Sequence, residues 1–105
     1  MTARERLPNR RPCETFEITA GGLNYRATVG RLDDGRVAEI FISNHKVGSQ
    51  ADTAAKDSAV VCSIALQFGV PLEVIRRALM RDSQGRPSGP LGVALDLLAA
   101  DEGAT

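Results

Sequence analysis

The residues best suited to chemistry lie in the segment FISNHKVGSQADTAAKDSA, positions 41–59. It contains the single histidine of the chain, His45, followed by Lys46, at the point where a strand-like pattern gives way to a helical one. The amides of a helix's first turn have no partners inside the helix and carry partial positive charge, so they attract phosphates and carboxylates. Gly48 would let such a ligand approach the backbone. Residues 44–50, including Gln50, are therefore a candidate anion site.

A structural interpretation accounts for the same residues and is favoured. Ser49 suits the N-cap of the helix, and Asp52 follows three positions later, as in a capping box with Asp in place of Glu. Asp52 would also compete with a bound anion. The glycine spacing and the Lys-Ser/Thr ending of a Walker loop are absent.

No sequence motif supports catalysis by His45. A catalytic histidine needs a group that orients it and a substrate that it serves. Glu39, Asp52 and Asp57 are candidate partners, but no spacing fixes their geometry. We assign no catalytic residue.

A second polar concentration, RDSQGRPSGP, occupies positions 81–90. A loop this rich in hydrogen-bonding groups is a candidate for function, although ordinary turn residues in a helix connector explain it too. Its candidate ligand-binding residues are Arg81, Ser83, Arg86 and Ser88. If this loop lies beside residues 44–50, its arginines would form a cationic pocket with Lys46 and His45.

Three alternating segments, ETFEITA, LNYRATVGR and RVAEIFIS, predict strands separated by turns at 21–22 and 33–35. In the first two, the expected inward residues are Phe16, Ile18, Ala20, Leu23, Tyr25, Ala27 and Val29. In the third strand Ala38, Ile40 and Ile42 share one face, and Val37 and Phe41 share the other. Apolar residues on both faces predict a covered strand, and Glu39 on the second face would then need a partner.

After the connector at 44–50, apolar residues recur at the spacing of a helix. A small-residue helix runs from about 51 to Gly69, with Ala55, Ala59, Cys62, Ala65 and Leu66 as its stripe and Val61, Ile64 and Phe68 broadening it. Pro71 and Pro90 suit the first turns of two further helices.

The predicted fold class is α+β, a three-stranded antiparallel β-meander followed by two or three helices packed on one face (βββααα). A homodimer through the sheet would cover its open face and edges.

Composition restricts the function classes. The 105 residues make one domain, predicted at 13–100, after a mobile basic arm at 1–12 and before a frayed tail at 101–105. Net charge is zero and aromatic residues make up 4%, so nucleic-acid binding is not favoured. It stays the alternative, through arm arginines 4–11 and through Arg76 and Arg77.

Two cysteines and one histidine far apart do not make a zinc site, so we expect no metal and no cofactor. Cys62 lies among apolar residues, as a core thiol would. The N-terminus lacks the apolar core of a secretory signal, and no apolar run is long enough to span a membrane. The expectation is a cytoplasmic protein.

Two motifs carry a family resemblance: GR-x-x-EIF at Gly35, Arg36, Glu39, Ile40 and Phe41, and G-V-x-x-E-x-I at Gly69, Val70, Glu73 and Ile75. Over roughly residues 10–98 the chain resembles the TSCPD domain, found at the C-terminus of adenosylcobalamin-dependent (class II) ribonucleotide reductases and in small stand-alone proteins. The resemblance implies a non-catalytic accessory module that binds a nucleotide-like anion or a protein partner related to the reductase.

The family's Thr-Ser-Cys-Pro-Asp motif is missing. The corresponding region reads SGPLGVALDLL, without cysteine, so no metal or thiol role carries over. The reductase chemistry of the family resides in a large barrel domain, and that activity does not carry over either.

Overall fold

The structure is a computed structural model that describes residues 3–103. Three strands precede three helices: β1 (Cys13–Ala20), β2 (Leu23–Arg31), β3 (Val37–Asn44), α1 (Gln50–Gln67), α2 (Leu72–Ala78) and α3 (Pro90–Gly103). The strands form one antiparallel sheet in the order β1-β2-β3. The predicted βββααα architecture is confirmed.

The β1–β2 hairpin turns at Gly21 and Gly22, whose φ angles are 57° and 78°. Ala20 pairs with Leu23, so the loop has two residues, as the glycine pair predicts. Both residues need positive φ, which side chains with a Cβ rarely adopt.

A bulge changes the pattern of β3. Gly30 pairs with Glu39 but Arg31 pairs with Val37, which leaves Ala38 as an extra residue. The bulge turns Val37 into the core, where it is buried, while Phe41 remains exposed on the open face. The prediction that Val37 and Phe41 share a face was therefore wrong, because strict alternation assumes a strand without bulges.

The core lies on one face of the sheet, between the strands and helices α1 and α3. Buried side chains from both layers form it, among them Tyr25, Val29, Ile40, Cys62 and Leu95. The stripe of α1 was predicted correctly at Ala55, Ala59, Cys62 and Leu66. Leu23, Val61, Ile64 and Phe68 were predicted to be inward, but they are exposed. Leu23 begins β2 next to the glycine turn, at the end of the sheet, and α1 meets the sheet along a narrower strip than its apolar residues cover.

Side chains of α1 satisfy backbone groups of β3. The Ser63 hydroxyl accepts from the N–H of Ile40 at 2.8 Å and donates to its carbonyl at 3.0 Å. The amide of Gln67 donates to the Ala38 carbonyl at 3.0 Å. Because β3 is an edge strand, these bonds occupy groups that another strand would otherwise pair with.

The segment predicted to be a mobile arm contacts the domain in this structure. The Glu5 N–H donates to the Gln67 carbonyl at 2.7 Å, and Arg4 donates to the Gln67 side chain at 2.6 Å. At the other end α3 continues to Gly103, and residues 104–105 of the predicted frayed tail lie outside the described range. The mobility of both ends stays a prediction.

Candidate functional site

The junction between β3 and α1 is organised around Asp52. Its carboxylate is buried and accepts the backbone N–H groups of Asn44 and Gly48, both at 3.0 Å. Lys56 adds an ion pair at 2.9 Å. The Lys56 hydrogen bond, followed by the two amides, lowers the pKa of Asp52 to about 2.

Ser49 caps α1, as its position predicts: its hydroxyl accepts the Asp52 N–H at 3.2 Å. The same hydroxyl donates to the Lys46 carbonyl at 2.7 Å. The amides of Gly48 and Asp52, which the candidate anion site would use, are therefore bonded within the protein. An external anion would meet a buried carboxylate at this place.

His45 lies on the surface, apart from the acidic residues considered as its partners. Its Nε2 is 3.6 Å from a carboxylate oxygen of Glu17, and both side chains are more than half exposed. Exposed pairs of this kind contribute little to stability. Lys46 and Gln50 are exposed as well, and among the described residues neither side chain makes a hydrogen bond; Lys46 is bonded through its backbone alone.

The loop at 81–89 is held by its own residues. The Asp82 carboxylate accepts the backbone N–H groups of Gln84 at 2.8 Å and Arg86 at 3.0 Å. These amides, followed by the Arg86 charge, lower the pKa of Asp82. Ser88 donates its backbone N–H to the Met80 carbonyl at 3.0 Å, and Ser83 is exposed. These bonds are typical of a well-formed turn.

Arg81 is engaged by a residue that the sequence analysis missed. Its guanidinium binds both oxygens of Asp96 on α3, at 2.9 Å and 2.6 Å. Arg76 on α2 donates to the same carboxylate at 3.0 Å, while also pairing with Glu73. The hydrogen bonds from Arg81 and Arg76 lower the pKa of Asp96 to about 2. The only sequence signal was an acidic residue inside the apolar pattern of the third helix.

Among the described residues, no hydrogen bond or ion pair joins the two candidate segments, so no such bond builds the cationic pocket considered above. Residues in and beside the two segments nevertheless line one cavity, of about 300 Å³. Ala51 follows the first segment, Met80 precedes the second, and Gly89 belongs to the second segment itself. None of the four cationic side chains lines this cavity. Whether residues 44–50 and 81–89 bind a ligand stays a prediction.

Glu39 is buried and lies against Arg11 of the N-terminal segment, which donates to its carboxylate. Arg11 also donates to the Pro8 carbonyl at 3.0 Å. Gly30 makes room for Glu39, because a Cβ at position 30 would lie 2.7 Å from the Glu39 Cγ. This cluster joins the N-terminal segment to the open face of the sheet.

The thiols differ in environment. Cys13 is exposed at the start of β1, whereas Cys62 is buried, and burial raises its pKa to about 11. In the described part of the chain, no three His, Cys, Asp or Glu side chains group as a metal site would require.

Five large apolar side chains are exposed on the outer side of α1 and the adjacent part of β3, a surface we call the outer apolar face: Phe41, Val60, Val61, Ile64 and Phe68. Phe41, Val60 and Ile64 border a common cleft. Arg26 and Lys56 stand beside Phe41 and Val60 on one side, and Arg4 on the other. Clustered exposed apolar residues with a polar rim are typical of interaction surfaces.

Family comparison agrees with the motifs noted in the sequence. The TSCPD domain model matches residues 1–99, and the chain therefore belongs to the TSCPD domain family. No solved structure matches the chain.

Similar proteins include vitamin B12-dependent ribonucleotide reductases. The one from Agrobacterium fabrum is 44% identical over 70 residues, which are 67% of this chain and 6% of the relative. The one from Bradyrhizobium diazoefficiens is 36% identical over 91 residues, 87% of this chain and 7% of the relative. The Rhodopirellula baltica relative is 42% identical over 72 residues, 69% of this chain and 7% of its own length. The chain thus corresponds to a small part of these proteins.

None of the helices in the described range has the length and apolar character that a membrane crossing requires. The cellular compartment stays a prediction.

Proposed function

We propose that this chain is a non-catalytic accessory module that binds a protein related to vitamin B12-dependent ribonucleotide reductase. The observation that carries the proposal is the outer apolar face, which presents Phe41, Val60 and Ile64 around one cleft. In the relatives the matching segment is 6–7% of a much longer chain, so there it is covalently joined to the remainder of a reductase. A face that meets such a protein explains why these residues are apolar.

A protein partner fits the geometry better than a nucleotide-like anion at residues 44–50. The amides of Gly48 and Asp52 are bonded to Asp52 and Ser49, respectively. Displacing the Asp52 carboxylate would leave its charge buried without partners, which is costly.

Nucleic-acid binding has less support, because several of its arginines already have acidic partners. Arg76 and Arg77 both pair with Glu73, and Arg11 pairs with Glu39. A gel shift at low salt that disappears as salt rises would favour this alternative, because phosphate contacts weaken with salt.

The proposal is tested by measuring binding of the full chain to the vitamin B12-dependent ribonucleotide reductase of the same organism. Val60→Lys places a charge in the outer apolar face and should weaken binding at least about tenfold, since burying an unpaired charge is unfavourable. Val74→Lys is the matched control, because Val74 is an exposed valine on α2, with 57% of its surface exposed against 50% for Val60. Equal binding by both variants would contradict the proposal.

Two further outcomes would assign a different role. If light scattering gives a dimer that Val60→Lys converts to a monomer, a second copy of the chain covers this face. If calorimetry gives saturable nucleotide binding that Lys46→Ala with Arg86→Ala abolishes, the anion hypothesis replaces the protein-partner proposal.

A further inference from the structure

The cavity of about 300 Å³ lies between α1, the start of α3 and Tyr25 of β2. Its volume is at the lower end of those of small-molecule sites. Small side chains of α1, including Ala51 and Ala54, form one wall, and Leu79 and Met80 lie across from them. Ala54 and Met80 are exposed, which places the mouth of the cavity at the surface.

Tyr25, which lines this cavity, has an unused hydrogen-bonding group. The residue is 5% exposed, and its hydroxyl makes no hydrogen bond within the described residues. Yet no described side-chain polar atom is both fully enclosed and unpaired. The hydroxyl must therefore reach accessible space, and Tyr25 borders this cavity. A tyrosine hydroxyl in accessible space can donate a hydrogen bond to a ligand.

The start of α3 adds two donors. Pro90 has no N–H, and the first backbone bond of this turn is from the Val93 N–H to the Gly89 carbonyl, at 3.2 Å. The N–H groups of Leu91 and Gly92 have no protein acceptor among the described residues. Both residues line the cavity. Donors at a helix N-terminus attract negative charge.

These features define the ligand chemistry. The walls are largely apolar, and no acidic side chain lines the cavity. No lysine or arginine lines it either, so a polyphosphate would lack counter-charges. The Ser58 hydroxyl, which also lines the cavity, already donates to the Ala55 carbonyl, so the free donors are the Leu91 and Gly92 amides and the Tyr25 hydroxyl. We infer that the cavity binds a small monocarboxylate with an apolar body, whose carboxylate accepts from the Tyr25 hydroxyl and the Leu91 and Gly92 amides.

This inference goes beyond the proposed accessory function and does not depend on it. The cavity shares no residue with the outer apolar face. A failure to bind a reductase would leave the ligand site untouched, and the reverse also holds.

The test is titration of the ¹⁵N-labelled full chain with phenylacetate, followed by amide spectra. We expect saturable shifts at Leu91 and Gly92, because hydrogen bonds to a carboxylate move amide resonances. 2-Phenylethylamine has the same ring and the opposite charge, and it should bind at least about tenfold more weakly because the helix end repels cations. Absence of saturable shifts, or equal affinity for both probes, would overturn the inference.

Variants locate the binding. Tyr25→Phe keeps the ring and removes the hydroxyl, so it should weaken phenylacetate about three- to tenfold, the value of one hydrogen bond. Ala54→Trp fills the mouth from an exposed position and should abolish binding. Thr53→Trp, at the exposed neighbouring position, is the control and should leave affinity unchanged. Unaltered binding in Ala54→Trp would place the probe elsewhere and contradict the inference. If the amide resonances of Leu91 and Gly92 shift only when a protein partner is added, a side chain of that partner occupies the cavity instead.

Discussion

Asp52 illustrates how one residue changes the interpretation of a motif. The junction before α1 has the glycine, the serine and the positive charges of an anion site. In the folded chain the Asp52 carboxylate binds the amides of Asn44 and Gly48 and the Lys56 ammonium. The protein's own anion thus occupies the amides of Asn44 and Gly48 and places a negative charge beside the start of α1.

Asp52→Asn should lower the melting temperature by several degrees at neutral pH, because the charged acceptor of three donors is lost. The pKa of Asp52 is about 2 in the folded chain and near 3.8 without its partners. A lowered acid pKa contributes stability that is present above the unfolded value and lost as pH falls through the folded value. The melting-temperature difference between wild type and Asp52→Asn should therefore be constant above about pH 5 and shrink toward pH 2. A difference independent of pH would contradict this.

The two thiols should react at different rates. Cys13 is exposed, whereas Cys62 is buried and has its pKa raised to about 11. Since the thiolate is the reactive form, an aromatic disulfide reagent at pH 8 should modify one thiol of the native chain rapidly and the second only in denaturant. Cys13→Ser should remove the rapid phase; two rapid phases in the wild type would show that α1 opens readily.

At the level of elements, α1 has two roles that its sequence pattern does not separate. One side supplies apolar residues to the core, and an adjoining row supplies Ser63 and Gln67 to the edge of β3. Ser63 and Gln67 lie four residues apart, and Ser63 lies four residues after Ala59. Two polar residues at this spacing beside the apolar stripe were a sequence signal for this second role. Helix α1 thereby blocks strand pairing at this edge.

Ser63→Ala should destabilise the protein by about 1–3 kcal/mol, because it leaves the Ile40 N–H buried without a partner. Ser58→Ala is the matched control on the same helix, since the Ser58 hydroxyl bonds only the Ala55 carbonyl within α1. Chemical denaturation of both variants measures the difference. Equal losses would show that the bond to β3 adds nothing beyond helix propensity.

For the whole molecule, the N-terminal segment and the sheet are connected through a buried charge. Glu39 is 5% exposed, and among the described residues its ion-pair partner is Arg11. Glu5 and Arg4 add contacts with Gln67 at the end of α1. The segment therefore belongs to the packing of the domain in this structure.

Arg11→Ala should lower stability because it leaves the Glu39 carboxylate buried without its cation. In a Glu39→Gln background the same substitution should have a much smaller effect, since no charge remains to be compensated. A double-mutant cycle from urea denaturation measures this coupling. Additive losses would indicate that the segment does not hold Glu39 in solution.

The sequence by itself determined the order of elements, the glycine turn at 21–22, the Ser49 cap and most of the core stripe. Each depends on residues within a few positions of one another, where backbone preference and periodicity operate. The family motifs at 35–41 and 69–75 likewise pointed to the TSCPD domain that the family match confirms.

Only the tertiary structure decided which polar groups meet. Arg11 lies 28 positions from Glu39, Ser63 lies 23 from Ile40, and Arg81 lies 15 from Asp96. No local pattern specifies such pairs, because they depend on how strands and helices pack. Packing also explains why the cavity differs from the pocket considered at 44–50 and 81–89. The connectors lie where the sequence placed them, but the packing of α1, α3 and Tyr25 decides which residues surround the space.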